Sequence, residues 1–220
     1  MEIKKYIRIF LEKIKILRSP MNRVIGKIEN RWMPVANLDA IELFGFDGSF
    51  HTKDYFEKIK SLEVWEIDPE CYKPLRKNVP GAKIKIVDTF FQLSKCQDLF
   101  DLVIIDNPTS TFNQHCEHFS AFPDVFRILK DDAVLIVNVI PAVNQDIMKK
   151  FPYLFNESQL LMRENFYQTN TPDDVPLNHM VKVYNKLANS CEFEMIDHFS
   201  VKRTFVYYLV MRFNKKMELT

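Results

Sequence analysis

The feature that most constrains this chain is a strand–turn–helix–strand unit at residues 38–68, LDAIELFGFDGSFHTKDYFEKIKSLEVWEID. Two apolar runs flank a turn holding Gly45 and Gly48 and a short polar helix pattern, and the second run ends on acids. A helical crossover returns the second strand parallel to the first. Residues 100–106 (FDLVIID) and 133–140 (AVLIVNVI) extend the pattern. The first of these is a continuous apolar run, as expected of a strand covered on both faces. In an open α/β sheet, ligands sit beyond the carboxyl ends of the strands. The turn after the first strand and the acids ending the second therefore mark where a nucleoside-type ligand would be held.

Five strands are predicted, over 39–44, 62–67, 81–88, 100–106 and 133–140, with helices over 53–60, from Pro69 onward with Asp68 as N-cap, and over 118–129. Proline-interrupted helical chain fills 144–190 and includes the turn-rich TNTPDDVP at 169–176, so residues 165–180 have the length of a lid or substrate loop. The end, FEMIDHFSVKRTFVYYLVMRF (193–213), reads as two β runs around a polar turn near Lys202–Arg203. The expected fold class is α/β: a mostly parallel seven-stranded sheet with an antiparallel C-terminal hairpin, helices on both faces, and an N-terminal amphipathic helix.

That helix is read from residues 1–19, where Ile3, Tyr6, Ile7, Phe10, Leu11, Ile14 and Leu17 share one face and six basic residues stand against two acids. Such a face suits an anionic membrane surface, its own domain, or a second subunit such as a homodimer partner; packing on protein is the default. Pro20 is expected to end it, with residues 21–37 a connection in which Trp32 plugs the sheet edge or covers a ligand. The division is then an extension at 1–30 and an α/β domain at 31–220.

At 220 residues and 47% hydrophobic, one sizeable core suffices. Thirty basic against 29 acidic residues create no field pointing to nucleic acid. Cys71, Cys96, Cys116 and Cys191 form no CxxC pair and read as free thiols of a reducing cytosol; a cytoplasmic, at most membrane-peripheral, location is expected. No apolar run approaches ~20 residues, and charges interrupt the N-terminal apolar positions as they would not in a secretory leader.

The run Glu42-Leu43-Phe44-Gly45-Phe46-Asp47-Gly48 resembles the E/D-x-G-x-G-x-G turn of the class I S-adenosylmethionine-dependent methyltransferases. The resemblance covers roughly residues 38–213 and implies a Rossmann-like fold. Only Gly48 falls on a family glycine; Phe44 and Phe46 take the other two places, and Gly45 sits one place off. VWEIDPE (64–70) resembles the strand-two end whose acid binds ribose hydroxyls, closest to the E-I-D-P run of the spermidine synthase branch, and gives Glu66 that role. Asp88, Thr89 and Phe90 match the adenine-binding end of strand three, and IIDNPTSTF (104–112) puts Asp106 and Asn107 where members place substrate-facing or methyl-proximal groups. FRILKDDAVLIVNV (126–139) is similar to the family's strand-five segment.

The resemblance implies S-adenosylmethionine as cofactor, held by Glu42, Gly45, Gly48, Glu66, Asp88, Thr89 and Asp106, and a small-molecule or glycan methyl acceptor. An aminopropyltransferase is the weaker alternative, since residues 107–114 (NPTSTFNQ) carry no acid for a polyamine. A non-catalytic binding protein, its pocket filled by Phe44 and Phe46, is the other. His115-Cys116-Glu117-His118 lines up four metal-ligand types without a distant pair to complete a site, so no metal is expected; beside Asp106, His115 or His118 is instead a candidate base. His51 and Lys53, opening the helix after the turn, could pair with a ligand carboxylate. The absence of G-x-S-x-G, GxxxxGK[ST] and a full G-x-G-x-x-G argues against α/β-hydrolases, P-loop NTPases and nicotinamide dehydrogenases.

Overall fold

The computed structural model describes residues 20–107, 111–112, 115–142, 145–150 and 156–216. Seven strands form one sheet: β1 (Asp39–Leu43), β2 (Ser61–Glu66), β3 (Lys83–Ile86), β4 (Phe100–Ile105), β5 (Leu129–Val139), β6 (Phe193–Arg203) and β7 (Val206–Lys215). Their order is β3-β2-β1-β4-β5-β7-β6. Six run parallel, and β7 is antiparallel to both its neighbours. The expected mostly parallel seven-stranded sheet with an antiparallel C-terminal hairpin is therefore the observed one.

The helices are α1 (Pro20–Arg31), α2 (Thr52–Tyr55), α3 (Tyr72–Asn78), α4 (Thr89–Leu93), α5 (Glu117–Ser120), α6 (Gln145–Lys150), α7 (Glu157–Tyr167) and α8 (Leu177–Ser190). They cover both faces of the sheet. Because side chains alternate along a strand, Ile41, Leu43, Val103, Ile105, Leu135 and Val137 enter one core with Met180, Tyr184 and Ala188 of α8. Their neighbours Ala40, Leu102, Ile104, Val134 and Ile136 enter the other with α1 and Leu75 of α3. Among the described residues no helix is long and apolar enough to cross a membrane.

Residues 20–31 correct one reading. Pro20 begins a helix, and much of the expected connection is α1. Proline suits the first helical turn because its missing N–H would have no partner there and its φ is already helical. Met21, Val24, Ile25 and Ile28, spaced three and four apart, are all buried against the sheet, each contributing about 1.5–3 kcal/mol. Trp32 then caps the outer strand: its Nε1 donates to Asp197 at 2.8 Å, and its ring lies 5.0 Å from that of Phe199. The helix read at residues 1–19, with its membrane or subunit contact, lies outside the described residues.

The segment at 169–176 is pinned down. The buried Arg163 of α7 donates through Nε to the Pro172 carbonyl at 2.7 Å and through Nη2 to that of Ile140 at 2.8 Å. Val175 is buried, and its N–H bonds to the Pro141 carbonyl at 2.9 Å. A guanidinium surrounded by carbonyls ties this turn to the end of β5, which a freely swinging lid would not permit.

Gly45 shows why one glycine is needed just past β1. Its N–H continues the ladder to the Trp65 carbonyl at 3.0 Å, and a Cβ there would stand 2.2 Å from Cγ1 of the buried Val64. Gly45→Ala is expected to destabilise the fold by ~1–3 kcal/mol through overpacking, read as a lower urea midpoint with an unchanged slope.

Candidate functional site

The carboxyl ends of β1, β2, β3 and β4 open onto one edge of the sheet. After β1 the chain passes through Phe44 (φ 61°), Phe46 (φ 47°) and Gly48 (φ 67°), three left-handed conformations at alternate positions. Left-handed backbone costs a non-glycine residue about 1–2 kcal/mol. The two phenylalanines thus stand in the conformation that favours glycine, and the turn keeps its path with rings where hydrogens would suffice. Phe46 is exposed; Phe44 is half-buried, its ring 5.6 Å from that of Phe90.

Glu66 ends β2 and is buried. Its Oε1 accepts from the N–H groups of Ile67 at 2.8 Å and Asp68 at 3.0 Å, and its Oε2 accepts from Phe46 at 2.7 Å. The carboxylate thereby clamps the β1 turn to the β2 end and keeps one lone-pair position on Oε2 for a further donor. Asp68 caps the turn that follows, accepting from Glu70 at 2.9 Å. Asp88 caps α4, its Oδ1 accepting from Phe90 at 2.9 Å and Phe91 at 3.3 Å while Oδ2 stays open. Thr89 beside it is buried.

A second, deeper cluster lies at the ends of β1 and β4. Glu42 is buried and accepts from the Tyr55 hydroxyl at 2.5 Å; Thr52 also hydrogen-bonds to it. Burial pushes its carboxyl up to about 7, against the lowering effect of those two hydroxyls. Asp106 follows β4 and is hydrogen-bonded by the Asn138 amide and, at 3.2 Å, by the Tyr208 hydroxyl. Burial first, and the nearby Glu42 charge second, hold Asp106 well above the usual carboxylate range, while Arg203 and Tyr208 act the other way. His51 Nε2 stands 3.7 Å from Asp106 Oδ2.

Of the residues singled out in the sequence, Glu42 and Asp106 thus meet in this cluster, while Gly45, Gly48 and Glu66 build the turn above β1 and β2. His51 joins Asp106, whereas Lys53 is exposed. His118 belongs elsewhere, which corrects its reading as a base. It is completely buried among Phe119, Phe122, Phe166 and Tyr184, its Nε2 is hydrogen-bonded to the Tyr184 hydroxyl, and burial lowers its pKa to about 3. An imidazole that stays neutral inside an aromatic core packs rather than exchanging protons with a substrate. His115 pairs with Phe112 through the backbone; its side chain lies outside the described residues. Tyr55, Asn138, Tyr208 and Arg203 were not foreseen. Asn138 alone left a trace, as the one polar residue in an apolar run.

No protein-family model matches the sequence, and no curated protein matches it. Solved structures do match. SMU.776, described as a candidate methyltransferase and complexed with SAH, aligns with a TM-score of 0.57 at 9% identity over 88% of this chain. The present chain spans only 49% of that protein. The N-methyltransferase NodS from Bradyrhizobium japonicum, in complex with S-adenosylhomocysteine, aligns at 0.54 and 10% identity over 93% of this chain and 91% of its own. PH1948 from Pyrococcus horikoshii, named as a candidate RNA methyltransferase, aligns at 0.52 and 14% identity over 92% and 86%. The fold is that of the class I S-adenosylmethionine-dependent methyltransferases. Because one protein of this fold is named for RNA, the even charge balance does not by itself set nucleic acid aside.

Proposed function

We propose that this chain binds S-adenosylmethionine and transfers its methyl group to a small-molecule or glycan acceptor. The observation that carries the reading is Glu66: a buried carboxylate at the end of β2, facing the β1 turn, with one acceptor position to spare. Acceptor-only oxygens suit vicinal ribose hydroxyls. Asp88 Oδ2, beside Thr89, suits an exocyclic amine. When bound, the cofactor supplies a methyl group already activated by its sulfonium. The protein's own part is then alignment and proton handling. Asp106, at the end of β4, would accept the hydrogen bond of the acceptor's nucleophilic N–H or O–H.

Calorimetry with S-adenosylhomocysteine tests this. Wild type is expected to bind, and Glu66→Ala to lose ~1–3 kcal/mol of binding through the missing charge-assisted bonds, with thermal melts confirming that the variant is folded. Equal affinity in the two proteins would remove Glu66 from the site.

A second reading, a non-catalytic binding protein with this fold, is favoured by the Phe44 ring resting on Phe90. A folded wild type that fails to bind S-adenosylhomocysteine would select it.

A further inference from the structure

Asp106 is approached by side chains from three other parts of the chain. Asn138 comes from β5, Tyr208 from β7, and His51 from the residue preceding α2. Asn138 and Tyr208 are direct cross-strand partners in the β5–β7 ladder, so the register itself aims both at the end of β4. His51 is wedged between the ring of Phe50, 4.3 Å away edge-on, and that of Tyr208, 5.8 Å away at 90°. This packing limits the imidazole's freedom and keeps Nε2 at 3.7 Å from Oδ2. The separation is within ion-pair range but beyond a hydrogen bond, a looseness common before a substrate is bound. Both side chains are largely buried, His51 and Asp106 retaining 7% and 10% of their exposure, and the His51 ring nitrogens are turned inward. The structural role of holding Asp106 is already filled by Asn138 and Tyr208. A third neighbour that is also a base adds a place to put a proton.

We propose that His51 and Asp106 form one proton-holding pair for the methyl acceptor, Asp106 contacting the acceptor and His51 acting through it as a positioning residue. The proposal rests on the methyltransferase reading and deepens it, because it specifies an acceptor atom that carries a proton. As that nitrogen or oxygen shares its lone pair with the methyl carbon, the carbon–sulfur bond breaks with its electrons on sulfur. The acceptor's proton passes to Asp106 Oδ2 and is shared with His51 Nε2, so that the pair holds it. No oxidant or metal is needed.

The pair can be tested without knowing the acceptor. The groups that face it are Glu42 of β1, Tyr55 of α2, Tyr208 of β7 and Arg203 at the end of β6. In protein carrying carbon-13-labelled imidazoles, the His51 signal is assigned among the five histidines by its absence in His51→Gln. Its titration midpoint is expected to fall by about one pH unit or more in Asp106→Asn, because an adjacent carboxylate favours the imidazolium. By reciprocity the Asp106 carboxyl signal must move by a like amount in His51→Gln. If Asp106→Asn does not fold, His51→Gln decides through the Asp106 signal; if His51→Gln does not fold, replacing the other four histidines one at a time assigns the His51 signal by elimination and Asp106→Asn decides. A midpoint unchanged in both would overturn the pair, whatever calorimetry says of S-adenosylhomocysteine. Conversely, failure to bind that ligand would remove the methyltransferase reading and leave the coupling measurable.

Discussion

Replacing Phe44 with glycine is expected to tighten S-adenosylhomocysteine binding about tenfold. The ring sits at a position where the β1 turn needs only hydrogen, and it rests against Phe90 beside the Asp88 cap. A ligand entering between the β1 turn and the start of α4 has to break that contact. Aromatic pairs are worth about 0.5–1.5 kcal/mol beyond their area, and about 1.4 kcal/mol is a factor of ten in affinity. Stability should change little. Relief of about 1–2 kcal/mol of left-handed strain is offset by the lost contact and by glycine's greater freedom when unfolded. Calorimetry on the two proteins decides it. If the variant binds more weakly, Phe44 is part of the binding surface and not an obstruction. If wild type does not bind and the variant does, the native pocket is filled by its own side chain.

Glu42→Gln should stabilise the protein strongly above neutral pH and hardly at all in acid. In the unfolded chain this carboxyl gives up its proton near 4.5, while burial in the fold retains it to about 7. A folded-state pKa above the unfolded one means that the folded form binds the extra proton between those values. Stability therefore falls as pH rises from 4.5 to about 7 and levels off beyond. At about 1.4 kcal/mol per pH unit, the interval corresponds to roughly 3 kcal/mol. An amide has no proton to lose and still accepts from Tyr55. Urea melts at pH 5 and pH 8 check this, since the advantage of the variant should grow between them. The same advantage at both values would show that Glu42 ionises without cost. Asp106, whose pKa is raised in part by the Glu42 charge, should titrate lower in the same variant.

The ladder of strands was legible because its signals are local. An apolar run such as residues 100–106, an acid and a proline after β2, and two glycines after β1 each act over a few residues. They survive reading in one dimension. The same holds for Asp88, whose capping of α4 involves only Phe90 and Phe91, two and three residues on. Pro20 shows the limit of local reading, since a proline that can stop one helix can equally begin the next, and only the sheet beneath Met21, Val24, Ile25 and Ile28 decides between them.

By itself the amino-acid order determined the layering, the direction of the strands and the acids at their ends, because hydrophobic period and turn chemistry are properties of short stretches. Tertiary structure alone decided which side chains meet. Tyr208 lies 102 residues from Asp106 in sequence and reaches it because β7 lies antiparallel beside β5, with Asn138 and Tyr208 in register. His118, which reads as a base beside Asp106, is instead enclosed by α7 and α8. Phe44 and Phe46 hold glycine-like backbone because Glu66 and the β2 strand clamp the turn around them. Contacts of that kind depend on strand order and register, which bring distant residues together and which no short stretch of sequence encodes.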